Sequence, residues 1–160
     1  MPHTAISFSG PLTPAILSSH PVITWYAKYA AEFVVNKHTT APTKYYAREA
    51  KLVNTDNSTI HGAREIWDYY IALYGQFERC SHEMVSVTLL TDEQTGKHTL
   101  HIECITSLHL KGSQEVVPLP QSFVYEISEA EAGYGCDGLQ IWEIRCYYDR
   151  GLLQRAAERS

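Results

Sequence analysis

The chain has 160 residues, with 13 Lys and Arg against 18 Asp and Glu, and its net charge of −5 lacks the basic surplus that nucleic-acid binding draws on. A hydrophobic content of 44% and a charged content of 19% are those of a single soluble domain, long enough to bury roughly 70% of its unfolded surface. No run approaches the ~18 apolar residues of a membrane span and no secretory leader is evident, so a cytoplasmic domain with neither nucleic-acid nor membrane partners is expected.

Residues 1–19 hold Pro2, Pro11 and Pro14 among Ser and Thr, and read as an irregular arm. Ser19-His20-Pro21 then opens a helix, with Ser19 as cap and Pro21 in the first turn. Ile23, Tyr26, Ala27, Ala30, Phe33 and Val34 follow at 3-and-4 spacing, with Trp25 and Tyr29 on the flank. Pro42 starts a short helical piece carrying Tyr45, Tyr46 and Arg48, and residues 50–54 read as a short strand. Thr55-Asp56-Asn57-Ser58 is turn chemistry. A second helix is expected over residues 62–77, where Ile66, Tyr70, Leu73 and Phe77 share a face.

Four strands follow, over residues 83–91, 99–110, 116–127 and 139–149. Pro118 and Pro120 cannot donate to a ladder, so the third begins with an irregular or edge section. Side chains in a strand alternate between faces. That rule puts Leu100, Ile102, Cys104, Thr106 and Leu108 together, then Leu119, Gln121, Phe123, Tyr125 and Ile127, then Trp142, Ile144, Cys146 and Tyr148. These nearly uncharged faces carry small polar groups and must line the inside of a curling sheet. Glu143, Arg145 and Asp149 fall outside. The fold class is α+β: a cone-shaped roll over residues 20–153, with N-terminal helices packed on a strongly curved, mostly antiparallel sheet, and a short charged tail at residues 154–160.

Cys80, Cys104, Cys136 and Cys146 have no Cys-x-x-Cys spacing and no His at a zinc-like offset, so they are read as free thiols with no metal.

The order of elements, with Ile60-His61-Gly62-Ala63-Arg64-Glu65-Ile66, Phe77 before Ser81-His82-Glu83, and the closing Trp142 to Asp149, resembles the nuclear-transport-factor-2-like superfamily in its SnoaL-like branch. The pattern is similar to small fungal proteins of natural-product pathways. The resemblance implies a cofactor-independent isomerase or cyclase of secondary metabolism, working in an enclosed cavity on a bulky apolar small molecule, and a homodimer. The outer sheet face is the expected contact. Where limonene epoxide hydrolases of this superfamily hold an Asp-Arg-Asp set, Cys104, Thr106 and Cys146 stand here, and Leu52 replaces a Tyr while Asn54 is kept. Two alternatives are a non-catalytic binding or interaction module, and an epoxide hydrolase with a relocated acid/base set.

The candidate catalytic residues are Asn54 and Gln121, as polarising groups for a carbonyl, and His61 with Asp56, as a proton shuttle near neutral pH. Asn54 and Asp56 read equally as turn caps, and His61 as a helix-start residue. His82 reads in the same two ways, as an acid/base group or as a link from helix to strand. Tyr26, Tyr29, Cys104, Thr106, Phe123, Trp142, Cys146 and Tyr148 are the expected substrate-binding wall, with core packing as the other reading.

Overall fold

The computed structural model of the chain describes residues 3–160. In chain order the elements are β1 (His3–Ser9), α1 (Pro14–Leu17), α2 (Pro21–Asn36), a 3-10 turn (Pro42–Lys44), β2 (Tyr46–Val53), β3 (Thr59–His61), α3 (Ala63–Tyr74), β4 (Arg79–Asp92), β5 (Lys97–His109), β6 (Val116–Glu129), β7 (Leu139–Tyr148) and α4 (Arg150–Glu158). The strands form one sheet in the order β1-β4-β5-β6-β7-β2-β3. Its pairs are antiparallel except β2 with β7. The α+β roll expected from the pattern is the fold observed.

Long β-strands curl when an extra residue interrupts the ladder. One interruption lies between Met84 and Ser86 on β4, and another opposes Glu126-Ile127 of β6 with Glu143 and Ile141 of β7. Trp142 is the extra residue at the second. Strict alternation puts it inside; the bulge shifts parity, so Ile141 is buried and Trp142 is exposed, its indole N–H reaching the Glu129 carbonyl at 3.2 Å. Trp142 therefore does not join the expected wall. Below the bulge the alternation holds. Ile144 and Cys146 are buried, while Arg145 lies outside with Glu126 at 3.0 Å and Glu143 at 3.3 Å.

The prolines of β6 behave as expected. Pro118 and Pro120 pair with Ser107 and Ile105, whereas β7 reaches β6 only from Gln121 onward. Their missing N–H groups thus fall on an unpaired margin.

The ends of the chain depart from the sequence reading. Met1 and Pro2 lie outside the described residues, but His3–Ser9 is a strand on β4, with Ile6 and Phe8 half-buried. The alternation of Ile6 and Phe8 was hidden by the prolines around it. The expected tail is a helix: Asp149 caps α4 by accepting from the Leu152 N–H at 2.9 Å. Leu153 and Ala156, one turn apart, pack with Phe77, Leu108, Val117 and Leu119 to close one end of the sheet. Tyr46 and Arg48 lie on β2 rather than a helix, and His20, not Ser19, caps α2 through Nδ1 to the Val22 N–H at 3.2 Å.

The main core is aromatic. Trp67 of α3 packs against Phe33, Tyr45 and Tyr46 at ring separations of 5.0, 6.4 and 6.1 Å. Its indole N–H donates to the Lys37 carbonyl at 2.7 Å. Tyr29 lies among the rings of Trp25, Tyr45, Tyr46 and Tyr125, its hydroxyl 2.5 Å from that of Tyr46. Trp25 ties α2 to the β6–β7 loop through the Cys136 carbonyl at 2.8 Å. That loop needs glycine at Gly135, where φ is +88° and a Cβ would fall on Ala130.

Candidate active site

The concave face of the sheet, α2 and the end of α3 enclose a cavity of about 570 Å³. Tyr26, Tyr29 and Phe33 of α2, Tyr70 and Tyr74 of α3, and Cys104, Phe123 and Tyr125 of the sheet form its wall. Tyr70 and Tyr74 stand one helical turn apart with their rings stacked at 6.1 Å. Phe123 and Tyr125 lie on the inner face of β6, two residues apart, and stack at 6.0 Å. Val34 and Val35, expected in part on the buried stripe of α2, rim the mouth instead, 62% and 76% exposed.

Burial sets the electrostatics. It pushes the Tyr29 phenol up to about 12 and raises Tyr26, Tyr70, Tyr74 and Tyr125 well above the ordinary phenol range. It also pushes the Cys80 and Cys104 thiols up to about 11. At neutral pH these groups are uncharged donors, not nucleophiles.

His82 is the exception. It lines the mouth, exposed toward it, with its ring 5.8 Å from that of Tyr74 and nearly perpendicular. Protein atoms crowded around the mouth hold its pKa below 6.5 by desolvation. It is the one imidazole of the cavity wall among the described residues, and none of the wall is a carboxylate. On β4 the even residues Cys80, His82 and Met84 face in before the bulge at Val85, and Val87 and Leu89 after it. His82 was legible as an acid/base candidate, but this change of parity kept the sequence from placing it on the cavity wall. Tyr70 and Tyr74 were legible only as a helix stripe.

The structure distributes the expected residues unevenly. Tyr26, Tyr29, Cys104 and Phe123 line the cavity. Thr106 and Gln121 are buried beside its floor, the Thr106 hydroxyl donating to Gln121 Oε1. Cys146 is buried behind the wall, its thiol pushed up to about 11.

The other expected catalytic groups lie away from the cavity. Asn54 is buried but committed: Oδ1 accepts from the Tyr69 hydroxyl at 3.2 Å and from Cys146 Sγ at 3.5 Å, and Nδ2 donates to Ser58 Oγ at 3.3 Å. It clamps the β2–β3 turn. Asp56 is exposed on that turn, accepting from Ser58 and paired with Arg150. His61 is exposed on the edge strand β3. The β2–β3 hairpin carries both outside the cone, so the expected proton shuttle does not assemble. Tyr148 turns toward a separate, more open cleft of about 480 Å³ between α3 and α4, where its hydroxyl lies 3.4 Å from that of Tyr69.

All four cysteines are free. Among the described residues, no three His, Cys, Asp or Glu side chains are placed to hold a metal ion, and no helix is long and apolar enough to cross a membrane.

No family model matches this sequence, and no curated protein matches it. Solved structures share its shape at low identity. A protein with a ketosteroid isomerase-like fold from Catenulispora acidiphila DSM 44928, in complex with trimethylamine, is 14% identical, with a TM-score of 0.56 over 89% of this chain and 96% of its own. A candidate SnoaL-like polyketide cyclase from Shewanella putrefaciens CN-32 is 12% identical, with a TM-score of 0.59 over 91% and 92%. A candidate scytalone dehydratase from Novosphingobium aromaticivorans DSM 12444 is 8% identical, with a TM-score of 0.59 over 79% and 83%. At such identities the shared property is the fold. The chain shares the α+β roll fold of these ketosteroid isomerase-like and SnoaL-like structures.

Proposed function

We propose that this protein is a cofactor-independent isomerase or cyclase for a bulky apolar carbonyl compound, with His82 as its general base. The observation that carries the reading is the placing of one imidazole in a wall that is otherwise apolar, phenolic or neutral. His82 removes a proton from the carbon next to a substrate carbonyl. The electrons move to the carbonyl oxygen, and a neutral phenol donates a hydrogen bond to the developing enolate. Return of the proton to a different carbon isomerises the substrate; attack of the enolate carbon on a second carbonyl closes a ring. A close-fitting apolar cavity holds the reacting atoms in one arrangement. The secondary-metabolite setting rests on the resemblance of the sequence alone.

The test is deuterium uptake α to the carbonyl of 2-tetralone in heavy water, followed by NMR. The protein is expected to accelerate uptake, and His82→Gln to reduce the acceleration at least a hundredfold. Because His82 acts as the neutral base and its pKa is lowered, the rate should hold at pH 7 and fall only below about pH 6.5. Binding of 2-tetralone without any uptake would favour the second reading, a non-catalytic binding module, which the lack of a carboxylate in the wall supports.

We place self-association on the outer sheet face, where Glu126, Glu143 and Arg145 form a charged cluster. Light scattering is expected to give about twice the chain mass of 18.1 kDa, and Arg145→Glu to return it to the monomer value. A monomer at micromolar concentration would refute this placement.

A further inference from the structure

We propose that His20 and His98 form an acid-sensitive latch: while both rings are neutral it fastens the first turn of α2 to the sheet, and a proton entering the pair loosens that turn together with the cavity wall that α2 carries. The inference does not depend on which reaction the cavity performs.

The latch stands on two contacts. His20 caps α2, its Nδ1 accepting from the Val22 N–H at 3.2 Å. Its ring also meets that of His98, at the start of β5, with centroids 5.8 Å apart and planes at 73°. His98 Nδ1 lies 2.9 Å from the Thr91 hydroxyl of β4, so the ring is held in place. Helix caps are usually Ser, Thr, Asn or Asp, whose oxygens accept throughout the neutral range. A histidine accepts through Nδ1 only as the neutral ring with its proton on Nε2. The imidazolium donates from both nitrogens and would face the Val22 N–H donor to donor. The effect reaches the cavity within one turn, because the Tyr26 N–H takes the Val22 carbonyl in the helical pattern and Tyr26 lines the wall.

The surroundings give an added proton no counterion. Across the sheet, His98 is opposed by Thr91 of β4 and Ile127 of β6, and Thr91 by Thr4 of β1, all uncharged. Asp92 opposes Lys97 and His3, and alternation puts these three on the other face. Glu93 is taken up by the Thr4 hydroxyl. Glu129, on the inner parity of β6, is exposed. The α1 segment, Pro14–Leu17, has no titratable side chain. On α2 the first charged residue is Lys28, paired with Asp137 of the β6–β7 loop. A charge on either ring therefore meets the other imidazole and the positive end of the α2 dipole. Desolvation holds both pKa values below 6.5, and His20 lowers that of His98 further. Because these values are lower folded than unfolded, the native state binds fewer protons. The latch is whole above about pH 6.5 and is lost as the pH falls through the folded values.

The experiment follows amide hydrogen exchange by NMR, each rate divided by its intrinsic value at the same pH. Protection of Val22, Thr24 and Tyr26 is expected to fall at least tenfold between about pH 7 and about pH 5, while Trp67 and Tyr70 of α3 change less than twofold. His20→Asn supplies a cap that does not titrate, so protection should hold across the range. In that variant the His98 ring should titrate closer to 6.5, since its neighbouring charge is gone. His82→Gln should keep the wild-type loss, which separates the latch from the cavity mouth. Imidazole proton shifts, read on the unaltered protein, should show both rings titrating below 6.5, so the test stands even where a variant folds poorly. Undiminished protection at about pH 5, an equal loss in His20→Asn, disappearance of the loss in His82→Gln, or titration of either ring at or above 6.5 would each overturn the latch.

Discussion

Raising the pH to about 11 is expected to unfold the protein in one cooperative step. Tyr26, Tyr29, Tyr46, Tyr70 and Tyr125 are buried and Tyr74 is half-buried, and desolvation raises every one of their phenols above the unfolded value of 10.0. A group whose pKa is higher folded than unfolded holds its proton longer in the native state. Stability is therefore intact below about pH 10 and lost as the pH climbs toward the folded values. At pH 11 each such tyrosine costs about 1.4 kcal/mol, and together they cost about 8 kcal/mol. That is comparable with the whole stability of an ordinary domain, ~5–15 kcal/mol. Tyrosinate absorbance and far-ultraviolet circular dichroism, followed across the titration, should change together in one transition. Smooth ionisation of the tyrosines near pH 10 with native dichroism retained would contradict the aromatic packing described above.

Trp67→Ala is expected to be the most damaging single truncation in the core. The side chain is fully buried and joins α3 to the ring of Phe33 on α2 and to Tyr45 and Tyr46 at the start of β2. Removing a buried Trp costs ~3–5 kcal/mol, and the Lys37 carbonyl also loses its indole donor. A loss of about 4 kcal/mol lowers the melting temperature of a chain this long by roughly 10 °C or more. Trp67→Phe keeps much of the packing and loses the donor, so it should fall between the two. Denaturant midpoints measured for the three proteins test this order, and a Trp67→Ala midpoint equal to that of Trp67→Phe would show that the hydrogen bond, not the ring, is what matters.

The roll was legible because sheet and helix periodicities survive over long stretches of the chain. Leu100 to Leu108 and Leu119 to Ile127 alternate without interruption, and both inner faces are where alternation puts them. Legibility failed at single-residue events. Trp142 and Val85 each interrupt a ladder, and nothing local announces a bulge there. One interruption moved Trp142 out of the cavity; the other kept the inward face of His82 from being read, though its chemistry was legible. The misplaced candidates have a second cause. Asn54, Asp56 and His61 are chemically suited to catalysis, but their reach depends on where the β2–β3 hairpin points, and that is set by Tyr69 and Arg150 at some distance in the chain. Gln121 was legible for a simpler reason, since an amide on a face that is otherwise closed to water needs a partner.

The bare valines at the entrance of the cavity have a consequence for traffic through it. A guest crossing that greasy threshold sheds its hydration beside few polar side chains, Ser81 and His82 among them, so ligand entry should track oil–water partitioning, with chemical discrimination postponed to the interior. Admission would then be lax and retention strict, an order suited to a catalyst that receives a sparingly soluble intermediate.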